Sequence, residues 1–439
     1  MSHNTNRRRF MQTTAALGVG YWVAGGVAPR ISRAANETIN FASVGVNGKG
    51  RSDSQDAGRS GNMVAICDID DNNLGIARAT WPKAKAYNDY RKMLDEVGKE
   101  FDAVTVSTPD HCHAVVAAAA MRAGKHCFVQ KPLSKSIHEA RILGELAAEN
   151  KVATQMGNQG TASNSLREAA AVVKSGVLGT VKEVHVWTNR PVWPQGIDRP
   201  TDTPEVPAHI HWAEFIGPAE NRPYHPAYHP FKWRGWWAFG TGALGDMACH
   251  TLNMPYMALD LRDPTSVQAT TSGHNKETYP AWSIITCQFP ERESRAALTF
   301  KWYDGGKKPE ASLLQGKAEM KNSGCLIVGE KGSLYAPGDY AEQGLTLIGV
   351  DKPQVDYVKS PGHFEEWVRA IKGGEPAMSN FPNYSAPLTE TVLLGNLAVW
   401  AASEGEGKKI EWDAKNLKAT NAPEVANIVK PEYYNGYKL

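Results

Sequence analysis

From Ile39 to Met156, short apolar runs alternate with stretches of helical character. "INFASVGV", "MVAI", "DAVTVS", "KHCFVQ" and "KVATQM" are strand-like in length and in their β-branched content. Between the later ones, "HAVVAAAAMRAG" reads as a helix that stops at Gly124, a residue suited to the left-handed turn after a helix. Ser136 and Glu139 form a capping-box pair ahead of "ARILGELAAEN", the next helix. Strand and helix in turn predict a doubly wound parallel sheet. From about residue 180 to 360 the pattern changes. "SIITCQF", "AALTFKW" and "GCLIVGEKGSLYA" alternate apolar and polar positions, as antiparallel strands with one buried face do. No internal repeat is visible, and the tail beyond Trp412 is polar enough to wrap the surface.

The pattern therefore predicts an α/β domain over residues 36–157 and an α+β domain over 158–439. Residues 1–35 read differently. Arg7, Arg8 and Arg9 precede Phe10 and Met11, an apolar run follows from about Ala15 to Ala28, and small residues end at Ala34 and Ala35. That order predicts a twin-arginine export signal, cleaved on arrival in the periplasm. Such systems carry folded proteins, so a small molecule bound inside the fold can travel with it.

Composition narrows the picture further. With 42% hydrophobic and 21% charged residues and a net charge of +2, the 439-residue chain has the make-up of a globular protein. No basic stripe points to nucleic acid, and no run outside the leader is long enough to cross a bilayer. The six cysteines include no CxxC pair, and Cys67, Cys127 and Cys287 fall in apolar runs as core thiols do. No metal site is expected; His209-x-His211 alone is a weak signal.

The first apolar run meets a glycine cluster at Gly45, Gly48 and Gly50. A glycine-rich turn opening a helix binds a pyrophosphate on the helix N-terminus, and Asn47 here takes the place of the middle glycine. Asp68 ends the second run, where a carboxylate would meet ribose hydroxyls. It would repel a 2′-phosphate and so favours NAD; Arg51 nearby keeps NADP open. Thr108, Pro109, Asp110, His111, Gln130 and Lys131 follow strand ends, where nucleotides bind in such sheets. His113 either packs near the nicotinamide or supports the loop. Asn158 touches cofactor or shapes a turn.

The segments "TPDHCHAVVAAAAMRAGKHCFVQKPLSKS", "GTGALGDMACHTLNMPYMAL", "GHFEEWVRAIKGG" and "PLTETVLLGNLAVWAASEGEGKK" together resemble the Gfo/Idh/MocA oxidoreductase family over most of the mature chain. The resemblance implies a Rossmann domain, an open sheet in the second domain with oligomer contacts on its exposed face (a dimer or tetramer), and a catalytic Lys131. It also implies that Asp246 and His250, spaced i, i+4, form the second half of the site, with His250 moving a hydroxyl proton and Asp246 as its partner. The family's Glu-Lys-Pro is Gln130-Lys131-Pro132 here, and loss of the adjacent carboxylate predicts a lowered pKa for Lys131.

Residues 185–239 mix Trp, Tyr and His with many prolines, too many for a regular helix. Aromatic faces and polar side chains suit a carbohydrate cleft, with Arg190, Trp193, Lys232, Arg234 and Trp237 as substrate contacts. Three functions follow: a sugar or polyol oxidoreductase that holds and recycles its nucleotide, a redox-neutral glycoside-cleaving enzyme using transient oxidation, or a binding protein without turnover.

Overall fold

A computed structural model describes residues 38–439; the proposed leader lies outside the described residues. The first half of the chain reads β1 (Ile39–Val44), α1 (Lys49–Ser60), β2 (Gly61–Cys67), α2 (Asp71–Thr80), β3 (Lys85–Tyr87), α3 (Tyr90–Val97), β4 (Ala103–Val106), α4 (Asp110–Arg122), β5 (His126–Val129), α5 (Ile137–Glu149) and β6 (Thr154–Met156). The six strands are parallel, in the order β3-β2-β1-β4-β5-β6. This order reverses direction beside β1, which opens a crevice at the carboxyl ends of β1 and β4. The strand expected to run to Val46 ends at Val44, because Gly45 turns the chain with φ of 81°. Helix α4 is buried nearly all round, so its alanine run has no polar face, and Gly124 leaves it at φ 74°. The Ser136–Glu139 capping box forms in both directions at the start of α5.

The second half is built on a larger sheet. Its elements are α6 (Asn164–Lys174), β7 (Val181–Trp187), α7 (Trp212–Ile216), α8 (Gly242–Thr251), α9 (Asn253–Leu259), β8 (Ser266–Thr271), β9 (Ser283–Phe289), β10 (Leu298–Tyr303), β11 (Gly324–Gly329), β12 (Ser333–Pro337), β13 (Thr346–Ile348), α10 (His363–Ile371), α11 (Ala386–Ala401), β14 (Gly405–Glu406), β15 (Ile410–Asp413), β16 (Lys418–Ala419) and α12 (Ala426–Val429). The strands run β13-β12-β11-β7-β10-β9-β8-β15-β16, with β14 also on β8. All neighbours are antiparallel except β7 and β10, so the sheet is mixed.

Three segments cross between the halves. Phe364 and Trp367 of α10 pack on Phe41 and Phe128 of the first sheet, closing a core cluster there. The proline-rich segment does not lie over the second domain alone. Asp71 N–H donates to His209 O, His211 N–H to Ile69 O, and both ring nitrogens of His111 face the carbonyls of Phe215 and Phe239. Phe215, Ile216, Tyr228, Trp236 and Phe239 form its own small core, docked on the carboxyl edge of the first sheet. The tail returns as well: Tyr433 Oη donates to Glu139, and Tyr434 N–H to Pro218 O.

Candidate active site

A cleft of about 590 Å³ runs from the glycine turn to α8. At its first end the backbone dictates the shape. A Cβ on Gly45 would come within 2.5 Å of Ser107 O, and one on Gly50 within 2.1 Å of Gly45 O. Both positions exclude side chains, so the turn packs against the end of β4. Gly48 is different: its φ is +57° and the space beside it is open to 4 Å. A diphosphate at the N-terminus of α1 fits that space. Asn47 lines the cleft, but its amide is tied along the rim to Asn73 (2.8 Å) and Arg51 (3.2 Å). Arg51 itself is exposed and is not part of the wall.

Asp68 lines the same end and also builds it. Its carboxylate accepts from Val46 N (2.9 Å), Asp70 N (3.0 Å) and Asn73 Nδ2 (3.2 Å), locking the glycine turn to the end of β2. Burial raises its pKa against those three hydrogen bonds. Thr108 and Pro109 line the middle of the cleft, and the buried Thr108 Oγ1 has no protein partner, as a group awaiting a ligand would. His113 touches the cleft, but each ring nitrogen lies 2.8 Å from a carbonyl, of Pro132 and of Thr108. It staples two strand-end loops together. Asn158 lies fully buried beneath the cleft against Ser379, with its Nδ2 unpartnered, while its neighbour Gln159 reaches the wall.

The other end is made of charges from distant parts of the chain. Lys131 Nζ donates to Asp246 Oδ1 at 2.6 Å and to its backbone carbonyl at 2.9 Å. Arg234 Nε lies 3.3 Å from the same carboxylate, and Arg190 Nε 3.7 Å from its other oxygen. Arg234 also chelates both oxygens of Asp110 (2.9 and 3.1 Å), which Thr241 Oγ1 completes at 2.5 Å. Burial alone would raise the Asp246 pKa, but Lys131 and then Arg234 overcome it and hold the carboxyl far below the usual range. The carboxylate beside Lys131 is thus Asp246, reached through space rather than along the chain.

Helix α8 does put Asp246 and His250 on one side, yet no hydrogen bond joins them. Asp246 serves Lys131. His250 is buried, its Nδ1 has no partner, and its ring meets Tyr340 edge-on at 4.7 Å. Burial and then the Lys131 ammonium push its pKa well below the ordinary histidine value, so it stands neutral. Tyr340, Asn73 and Phe231 also line the cleft and carry no motif that marks them in the sequence.

Of the proposed substrate contacts, Arg190 and Arg234 line the cleft. Trp193 does not; it backs Arg234, whose guanidinium lies 5.7 Å from its ring. Lys232 is exposed at the surface. Trp237 is stacked on Tyr279 at 3.7 Å and lines a separate cavity of about 300 Å³. The cause is local: Lys232–Gly235 is one short turn whose Trp233 and Arg234 reach the cleft, and of these Arg234 has carboxylates to meet.

Most of the chain matches two adjoining family models. Residues 39–158 match the oxidoreductase family's NAD-binding Rossmann fold, and residues 162–431 its C-terminal alpha/beta domain. The chain belongs to the Gfo/Idh/MocA oxidoreductase family. Its first domain is therefore an NAD-binding Rossmann domain. Among relatives of this family, inositol 2-dehydrogenase of Salmonella typhimurium is 30% identical over 128 residues, 28% of this chain and 37% of that protein. Levoglucosan dehydrogenase of Pseudarthrobacter phenanthrenivorans is 24% identical over 94 residues, 21% of this chain and 24% of that one. The chain thus matches well under half the length of these relatives. The WlbA dehydrogenase of Bordetella pertussis, solved with NADH and UDP-GlcNAcA, has the same fold at a TM-score of 0.58 and 18% identity, covering 83% of this chain and 95% of that one. Aldose-aldose oxidoreductase of Caulobacter crescentus has a TM-score of 0.58 at 15% identity, covering 85% and 100%.

Proposed function

We propose that this protein is an NAD-dependent oxidoreductase of a sugar or polyol. The observation that carries this is the Lys131–Asp246 pair at 2.6 Å beside a neutral His250, in the same cleft as the glycine turn. NAD, when bound, supplies the hydride acceptor. Lys131 binds and polarises the reacting oxygen, and Asp246 fixes the ammonium in place. His250 takes the hydroxyl proton. Arg190 and Arg234 present donors to the remaining hydroxyls. Gly45, Gly48 and Asp68 hold the nucleotide; Gln130 and Thr108 lie at its reacting end. The names of the inositol and levoglucosan dehydrogenases support a polyol or sugar as substrate.

The leader motif at Arg7–Met11 supports export to the periplasm. Free NAD is not expected there, so the nucleotide is held tightly and regenerated in place, by a second sugar or by return of the hydride. The working form is a homo-oligomer. The test is to purify the mature protein after folding with its leader intact and no added nucleotide, denature it, and assay the released NAD(H) and NADP(H). Near-stoichiometric NAD(H) is expected. Empty protein with weak affinity for added NAD contradicts a retained cofactor. Glycoside cleavage without net change in the nucleotide would assign the redox-neutral route.

A further inference from the structure

Asp53 is a carboxylate that the chemistry above does not use. It sits one turn into α1 and is 1% exposed. Its Oδ1 accepts from Lys49 Nζ at 2.5 Å; its Oδ2 accepts from Ser107 Oγ and Gln130 Nε2, each at 2.8 Å. Donors from the glycine-turn helix, the end of β4 and the end of β5 thus converge on one buried group. With a donor on every side it acts only as an acceptor, and this decides which way the Gln130 carboxamide points. The nitrogen goes to Asp53, and the oxygen is the atom left for the cleft, which Gln130 lines. Gly157 closes the other side: a Cβ there would lie 2.3 Å from Gln130 Nε2 and 2.7 Å from Oε1. The carboxamide is gripped between a carboxylate and a bare backbone.

We propose that Asp53 is a positioning residue. It fixes Gln130 so that a neutral acceptor oxygen, next in sequence to Lys131, faces the cleft, where it receives an amide N–H of the nicotinamide ring. This rests on reading the cleft as the nucleotide and Lys131 site. It also predicts that positions 53 and 130 hold one negative charge between them. A carboxylate at 130 would meet the Asp53 carboxylate at hydrogen-bond distance, so the pair would either repel or have to take up a proton from solvent.

Four full-length proteins test this: wild type, Asp53→Asn, Gln130→Glu and the double variant. NAD affinity of nucleotide-stripped protein, melting temperature, and kcat and KM are measured on each. Gln130→Glu is expected to weaken NAD about tenfold or more and to lower the melting temperature. Its kcat falls while the sugar KM holds. Asp53→Asn loses the Lys49 contact and falls between. In the double variant the amide introduced at position 53 donates to the carboxylate introduced at position 130, and NAD affinity and melting temperature recover to near wild type. A Gln130→Glu protein that binds NAD like wild type overturns the proposal. So does a double variant as impaired as its two single changes combined. If wild type binds NAD but turns over no sugar, the activity reading fails, and the affinity and melting pattern still decides the role of Asp53.

Discussion

At the glycine turn the cleft is shaped by main chain: Gly45 and Gly50 press against carbonyl oxygens, and Asp68 is held by backbone N–H groups as much as by side chains. At α8 it is shaped by side chains: Lys131, Arg190, Arg234, Asp110 and Asp246 come from five separate stretches and meet as ions. The first end holds its shape because an atom added at Gly45 or Gly50 would collide with main chain. The second holds only while its charges balance. The two ends should therefore fail in different ways, and that difference can be pressed.

The largest effect belongs to the groups proposed to react. Lys131→Ala and His250→Gln should each lower kcat about 10²–10⁴-fold. Nucleotide content should be unchanged, because neither residue builds the glycine turn. Loss of nucleotide in these variants would show that the two ends are one unit. Asp246→Asn comes next. It leaves the Lys131 ammonium, 14% exposed, without its carboxylate, and breaking such a pair costs about 3–5 kcal/mol. Chemical denaturation should show that loss, whereas Asp68→Asn, whose donors are neutral N–H groups and which strands no buried cation, should cost less.

Acid should loosen the loops more gradually. Burial lowers the pKa of His111, His126 and His363 to about 4. Unfolded, each titrates near 6.5, so below that pH the unfolded chain binds protons that the folded chain refuses. Stability is full above about pH 6.5 and falls as pH drops towards 4, by at most ~1.4 kcal/mol per histidine per pH unit. Denaturation midpoints across that range check the sign; stability rising on acidification would contradict it. The smallest effect is at the surface: Lys232→Ala should alter kcat/KM less than about twofold, since exposed changes stay within about 0.5 kcal/mol.

The same division explains what could be read from the chain before folding. The parallel sheet, the Gly124 stop and the Ser136 capping box are local: each is written within a few residues, and each lies where the pattern placed it. So is the i, i+4 pairing of Asp246 and His250 on one helix. What that helix does was not local. The carboxylate's partner is Lys131, on the far domain, because an ammonium 2.6 Å away outweighs a neutral ring one turn along. Trp237 and Arg234 sit close together in sequence, yet only the arginine finds acids to face the cleft, while the tryptophan finds Tyr279. Aromatic content predicted a carbohydrate wall; Phe215, Phe231 and Trp233 do line the cleft, while Tyr228, Trp236 and Phe239 hold the proline-rich segment against the first sheet. Asp53 was invisible because its three partners lie in other strand ends or look like an ordinary helix pair with Lys49.

The most direct test of the whole account is a single-turnover titration of protein carrying its own nucleotide. A panel of sugars and polyols is added, and the near-ultraviolet absorbance of the bound nicotinamide is followed in wild type, Lys131→Ala and His250→Gln. The account predicts that at least one substrate reduces the bound nicotinamide in wild type, and that neither variant responds while both still hold nucleotide. No change in nucleotide-loaded wild type with any member of the panel, or an undiminished response in Lys131→Ala, would contradict it.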